Sequence, residues 1–125
     1  MFRIKLVRSA LMALMATVLV TPALAQDKPL YIIGVFHADV SNSFSSVVKK
    51  GVEQAGKDLG VKVEFVGPEK FDVVAEGQLI EAAIAKKPDG LFVSLADCDA
   101  LKPMVQDARA AGIPVMSFNA GGELL

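Results

Sequence analysis

Four short apolar runs alternate with three stretches of helical periodicity, and this alternation narrows the possible folds more than any other feature of the chain. The runs are Tyr31–Ala38 (YIIGVFHA), Val61–Val66 (VKVEFV), Gly90–Leu95 (GLFVSL) and Ile113–Phe118 (IPVMSF). Each is short enough for a strand and is bounded by Gly, Pro, Asn or Asp. In the first helical stretch Phe44, Val47, Val48, Gly51, Val52, Ala55 and Leu59 share one stripe, which is expected to face the core, and Gly60 follows its end. The second runs over Asp72–Lys87, with Asp72 as N-cap, Val73, Gly77, Ile80, Ala83 and Ile84 inward, and Pro88 as the stop. The third covers Asp99–Ala111, with Leu101, Met104, Val105, Ala108 and Ala111 inward. Pro103 is expected in its first turn, where a missing N–H costs least.

Strands that alternate with helices at this spacing imply right-handed crossovers and a parallel sheet, an α/β class. Val61, Val63 and Phe65 alternate with Lys62 and Glu64, whereas the other three runs are apolar on both faces. A half-polar strand belongs at an edge. The predicted architecture is therefore a doubly wound sheet in the order 2-1-3-4, with the topological switch between strands 1 and 3.

The segment before the first strand has a different character. Of residues 1–25, 18 are apolar, against 48 of the remaining 100. A cationic stretch (Met1–Arg8), an apolar run (Ala10–Val20), a Thr21-Pro22 break and Ala23-Leu24-Ala25 are the parts of a secretory signal. A membrane-spanning helix needs about 20 apolar residues, and this run is roughly half that. Residues 1–25 are thus expected to be removed after Ala25, leaving an exported chain that begins at Gln26. Beyond residue 25 the net charge is −4, with no basic stripe to neutralise phosphates, so a nucleic-acid-binding body is disfavoured. The lone Cys98 lies between Asp97 and Asp99, whose carboxylates disfavour its thiolate and a nucleophilic role.

In an open sheet of this kind a ligand sits beyond the carboxyl ends of the strands. Four loops reach that edge: His37–Phe44, Gly67–Glu69, Ala96–Asp99 and Asn119–Gly122. The first, third and fourth are expected to converge, offering short amides, carboxylates, hydroxyls and one aromatic ring. Such groups pair with vicinal hydroxyls and pack the C–H face of a ring, which suits a polar neutral ligand. No phosphate-binding glycine motif occurs, and Gly34 lies inside the first strand. No metal-ligand spacing surrounds His37, and no nucleophile elbow is present. No cofactor and no metal are expected. His37 reads as a strand-end residue with a local hydrogen bond. Asn42, Ser43, Asp97 and Asp99 each suit an N-cap as well as a ligand contact, and Phe44 suits the top of the core stripe as well as a ring against a ligand. Asn119 is the foremost ligand candidate, since it follows a buried strand and precedes Gly121-Gly122.

Taken together, the signal, IIGVFHADVSNSFSSVVKKGVEQAGKDLGV, FDVVAEGQLIEAAIAKKPDGLFVSLADCDAL and GIPVMSFNAGG resemble the N-terminal lobe of type I periplasmic sugar-binding proteins, which serve ABC importers. The resemblance spans residues 31–122. It implies that Asn42 and Phe44 contact the sugar from the first loop, and that Asn119 stands where relatives often place an Asp or Asn for sugar hydroxyls. Asp39 and Asp97 complete the candidate ligand set. The resemblance also implies a sugar or polyol ligand, an inner-membrane ABC permease as partner, a chemoreceptor as a possible second partner, and no catalysis. Ribose-binding members tend to carry a second aromatic after the Phe and an Arg after the strand-4 acid, where this chain has Ser45 and Ala120. Family chains are more than twice as long, so residues 26–125 are expected to form an incomplete N-terminal lobe. Three alternatives stand beside this reading: a small exported α/β enzyme using His37, Asp39 or Asp97, the ligand domain of a transcription regulator, and a truncated product without independent function. The export signal opposes the regulator.

Overall fold

The computed structural model of the protein describes residues 28–124. The expected signal and its cleavage after Ala25 lie outside the described residues. The element order is β1 (Tyr31–Val35), α1 (Ser43–Leu59), β2 (Lys62–Val66), α2 (Val73–Ala85), β3 (Gly90–Val93), α3 (Cys98–Ala110), β4 (Val115–Ser117) and a short 3-10 turn over Gly122–Leu124. All strand pairs are parallel and the sheet order is β2-β1-β3-β4, as the pattern predicts.

The strands are shorter than the apolar runs for identifiable reasons. Pro114 has no N–H for the ladder, although its carbonyl accepts from Leu91 N at 2.9 Å, so β4 begins at Val115. Phe36 N donates to Val66 O at 2.8 Å, and beyond it the chain turns out into its loop.

One face of the sheet carries the core. Ile33, Val35, Leu91 and Val93 pack there against Ile80 and Ala83 of α2 and Leu101, Val105 and Ala108 of α3. Asp72 caps α2 through Val74 N and Ala75 N, as expected. Two expectations for α3 need correction. Capping by Asp97 starts the helix at Cys98, so Pro103 falls in the second turn rather than the first, leaving the Asp99 carbonyl without an intrahelical donor at an exposed position. Ala111 is the exposed C-cap and not an inward residue.

The other face is covered by α1 mainly over β2, where Gly56 lets the helix approach Val63. The expected inward stripe of α1 is only partly buried. Val48 and Val52 are half-buried, Ser45 and Gly56 are the fully buried residues, and Phe44, Val47, Gly51, Ala55 and Leu59 are exposed. The stripe is open because α1 sits to one side of the sheet. Val52, Ala55 and Leu59 look onto an apolar groove of about 350 Å³ whose other walls include Ile32, Phe92 and Met116. Phe44 is 58% exposed at the top of α1, so it is not a core residue.

Candidate functional site

The carboxyl ends of β1, β3 and β4 meet through side chains. His37 Nδ1 lies 2.7 Å from Ser94 Oγ, and Asn119 Nδ2 donates to the same oxygen at 3.3 Å. Ser94 is fully buried, so this hydroxyl joins the three strand ends away from solvent. Backbone bonds reinforce the junction, with Ser94 N donating to Val35 O and Leu95 N to Ala120 O. Asn119 has φ +62, in the left-handed region that Asn tolerates better than most residues. Gly121, at φ +89, is required by close approach as well: a Cβ there would lie 2.7 Å from Leu95 Cβ. The first, third and fourth loops therefore converge as expected, whereas the hydrogen bond of His37 crosses to another strand rather than staying local.

Each remaining candidate has a definite local role. Asn42 is the N-cap of α1: its Oδ1 accepts from Ser45 N at 2.9 Å and its Nδ2 donates to Asp39 O at 2.6 Å. Asp39 accepts from Ser41 N and Ser41 Oγ, each at 2.7 Å, and these bonds hold its carboxyl below the usual carboxylate range. Asp97 caps α3 by accepting from Ala100 N at 3.0 Å. Phe44 approaches Phe36 at 6.2 Å between centroids, and Phe36 lies 5.7 Å from Phe118, so an aromatic floor connects the first and fourth loops. The Cys98 thiol is raised first by its hydrogen bond to Glu123 at 3.2 Å and then by burial and by the neighbouring carboxylates. Among the described residues no group of three His, Cys, Asp or Glu side chains comes together as a metal site.

Two polar residues that carry this edge were not singled out from sequence. Ser94 is hidden in an apolar run, its signal being a lone hydroxyl at the carboxyl end of a buried strand. Glu76 lies four residues before Ile80 and seven before Ala83, on the inner stripe of α2, which is an unusual place for a carboxylate. Its side chain is fully buried; Oε2 accepts from Ala96 N at 3.3 Å and Oε1 has no partner among the described residues. Burial pushes its pKa up to about 7, against the lowering effect of the Ala96 bond. Glu76 thus holds the base of the loop that carries Asp97. A separate depression of about 620 Å³ lies beside the second loop, lined by Gly67–Lys70 and the start of α2, apart from the three-strand junction.

The architecture matches known proteins. A periplasmic binding protein domain model matches residues 33–123. The chain is 28% identical over 102 residues to the ribose import binding protein RbsB of Bacillus subtilis, covering 82% of this chain and 33% of that protein. It is 30% identical over 94 residues to the xylose/arabinose-binding protein XylF of Sulfolobus acidocaldarius, covering 75% of this chain and 23% of the relative. Among solved structures, a carbohydrate transporter from Acidothermus cellulolyticus in complex with myo-inositol superposes with a TM-score of 0.70 at 33% identity, over 78% of this chain and 33% of that one. The chain spans a third or less of the length of these curated relatives. The matched proteins are binding proteins by family, not enzymes. A family match across residues 33–123, together with the parallel β2-β1-β3-β4 sheet, shows that this chain belongs to the type I periplasmic binding proteins.

Proposed function

We propose that this chain supplies the N-lobe side of the solute site of an exported binding protein, which captures a neutral sugar or polyol and delivers it to an inner-membrane ABC permease. The observation that carries this reading is the junction of His37, Ser94 and Asn119 at the carboxyl ends of three adjacent strands, with the exposed ring of Phe44 on the neighbouring helix. Carboxamide and imidazole groups exchange hydrogen bonds with vicinal hydroxyls in both directions, and an aromatic face packs the C–H side of a sugar ring. Asn119 and Phe44 are the contacts of this reading. Asn42, Asp39 and Asp97 retain lone pairs beyond their capping and turn bonds and line the same edge. Residue 45 is a buried serine, so no second ring follows Phe44, and the reading extends to pentoses other than ribose and to polyols.

Three names support the ligand class: a ribose importer's binding protein, a xylose/arabinose-binding protein and a structure holding myo-inositol. Residues 1–25 are the export signal of this reading, with cleavage after Ala25, and residues 26–125 are part of the N-terminal lobe. The test is a thermal-shift panel of ribose, xylose, arabinose, galactose and myo-inositol on the mature protein expressed from its own gene. At least one is expected to raise the melting temperature in a saturable manner. No shift with any of them would reject the reading.

A further inference from the structure

The Ser94 hydroxyl has one proton to give and two lone pairs to receive with, and it is fully buried. Its side-chain partners are His37 Nδ1 at 2.7 Å and Asn119 Nδ2 at 3.3 Å. The Asn119 amide can only donate through Nδ2, so it fills a lone pair of Ser94. The Ser94 proton then has His37 Nδ1 as its acceptor, since no solvent reaches it. We propose that His37 and Ser94 are positioning residues that set the donor and acceptor pattern shown to the solute. In this arrangement His37 carries its proton on Nε2, Ser94 donates to Nδ1, and Asn119 is held with Oδ1 free to accept from a solute hydroxyl.

The relay has a single alternative polarity. If His37 carried its proton on Nδ1, it would donate to Ser94, Ser94 would donate to Asn119, and the amide would have to turn Oδ1 inward and NH₂ outward. The tautomer of one residue and the amide orientation of another are therefore coupled, although the two do not share a hydrogen bond. Burial of Ser94 makes the coupling strong, because a wrongly directed hydroxyl would be left unpaired in the interior. This inference rests on the sugar-binding reading for its consequence, but the coupling itself is a property of the protein without solute.

Long-range proton–nitrogen NMR correlation on the uniformly ¹⁵N-labelled mature protein at pH 8 reads it directly. His37 is the only histidine of this chain, and its signals are assigned by their loss in His37→Gln. The expected pattern is an unprotonated Nδ1 and a protonated Nε2. Ser94→Thr, which keeps the hydroxyl, is expected to retain that pattern, and Ser94→Ala to shift it toward a mixture of tautomers. Asn119→Asp is the sharper variant: a carboxylate cannot donate to Ser94, so Ser94 must donate to it, and His37 is expected to move its proton to Nδ1. An Nδ1–H tautomer in the unaltered protein, or an unchanged tautomer in both Ser94→Ala and Asn119→Asp, would overturn the proposal. Failure of every sugar in the thermal-shift panel would reject the solute reading and leave these tautomer outcomes intact.

Discussion

Phe65 and Phe92 stack across the middle of the sheet, with ring centroids 5.9 Å apart and planes 19° from parallel. Gly34 lies between them, in register with Phe65 on one side and Phe92 on the other. A Cβ at Gly34 would lie 2.2 Å from Phe92 Cζ and 2.7 Å from Phe65 Cδ2. The glycine is therefore a packing requirement of this aromatic face of the sheet, and not a phosphate-binding or turn residue. Gly34→Ala is expected to cost about 3 kcal/mol by forcing both rings from their places. Denaturant unfolding of the two proteins measures this; a loss within experimental error of zero would show that the rings move freely.

Glu76 makes stability depend on pH in a stated direction. Its folded pKa of about 7 lies above the ordinary glutamate value of 4.5, so the folded state holds a proton that the unfolded chain releases. The associated stability is fully present below pH 4.5 and is lost as pH rises through 7. About 3 kcal/mol is an upper bound on the loss. Glu76→Gln keeps an acceptor for Ala96 N and cannot ionise. The stability difference between Glu76→Gln and the unaltered protein is therefore expected to grow in favour of the variant between pH 5 and pH 8.5. A difference that stays flat over this range would place Glu76 in a wetter setting than its burial indicates.

Ser45 presents a buried hydroxyl with no hydrogen-bond partner among the described residues, at the first turn of α1. An unpaired buried hydroxyl is a net cost, and alanine fits the same space. Ser45→Ala is expected to raise stability by about 1 kcal/mol, read as a higher denaturation midpoint with an unchanged slope. A fall in stability would mean that the hydroxyl has a hydrogen-bond partner in solution.

The capping role of Asp97 is read by stability alone. Its carboxylate caps α3 through Ala100 N. Asp97→Asn retains an acceptor oxygen for that bond and is expected to change stability by only a few tenths of a kcal/mol, as N-cap preferences indicate. Asp97→Ala is expected to lose about 1 kcal/mol by the same measure. Equal stability of all three proteins in urea unfolding would argue against the capping role.

Much of the fold is legible because periodicity and punctuation agree. Gly60, Pro88 and Gly112 mark helix ends, and the polar alternation of Lys62 and Glu64 places β2 at an edge. The inward stripe of α1 misleads because periodicity reports which residues share a face and not what lies opposite: Val47 and Leu59 share the stripe of Val52, yet they are exposed. Pro103 misleads because Asp97 rather than Asp99 caps α3, which makes Pro103 the sixth residue of the helix. At the site, Asn119 and His37 stand out as polar residues after apolar runs. Ser94 and Glu76 do not, since their importance arises from burial against particular partners, the His37 ring and the Ala96 amide, that no linear spacing records.

The location of the solute is tested most directly by amide chemical-shift mapping of the mature protein, titrated with whichever sugar or polyol the thermal-shift panel identifies. The expected result is that shifts concentrate in residues 37–44, 94–97 and 118–121. The opposite end of the sheet, where Tyr31 hydroxyl and Lys86 both bond to Glu64, is expected to stay unmoved. Shifts centred on the apolar groove at Val52, Leu59 and Met116, or on Tyr31, Glu64 and Lys86, with the junction of His37, Ser94 and Asn119 unperturbed, would contradict a solute site at the carboxyl ends of β1, β3 and β4.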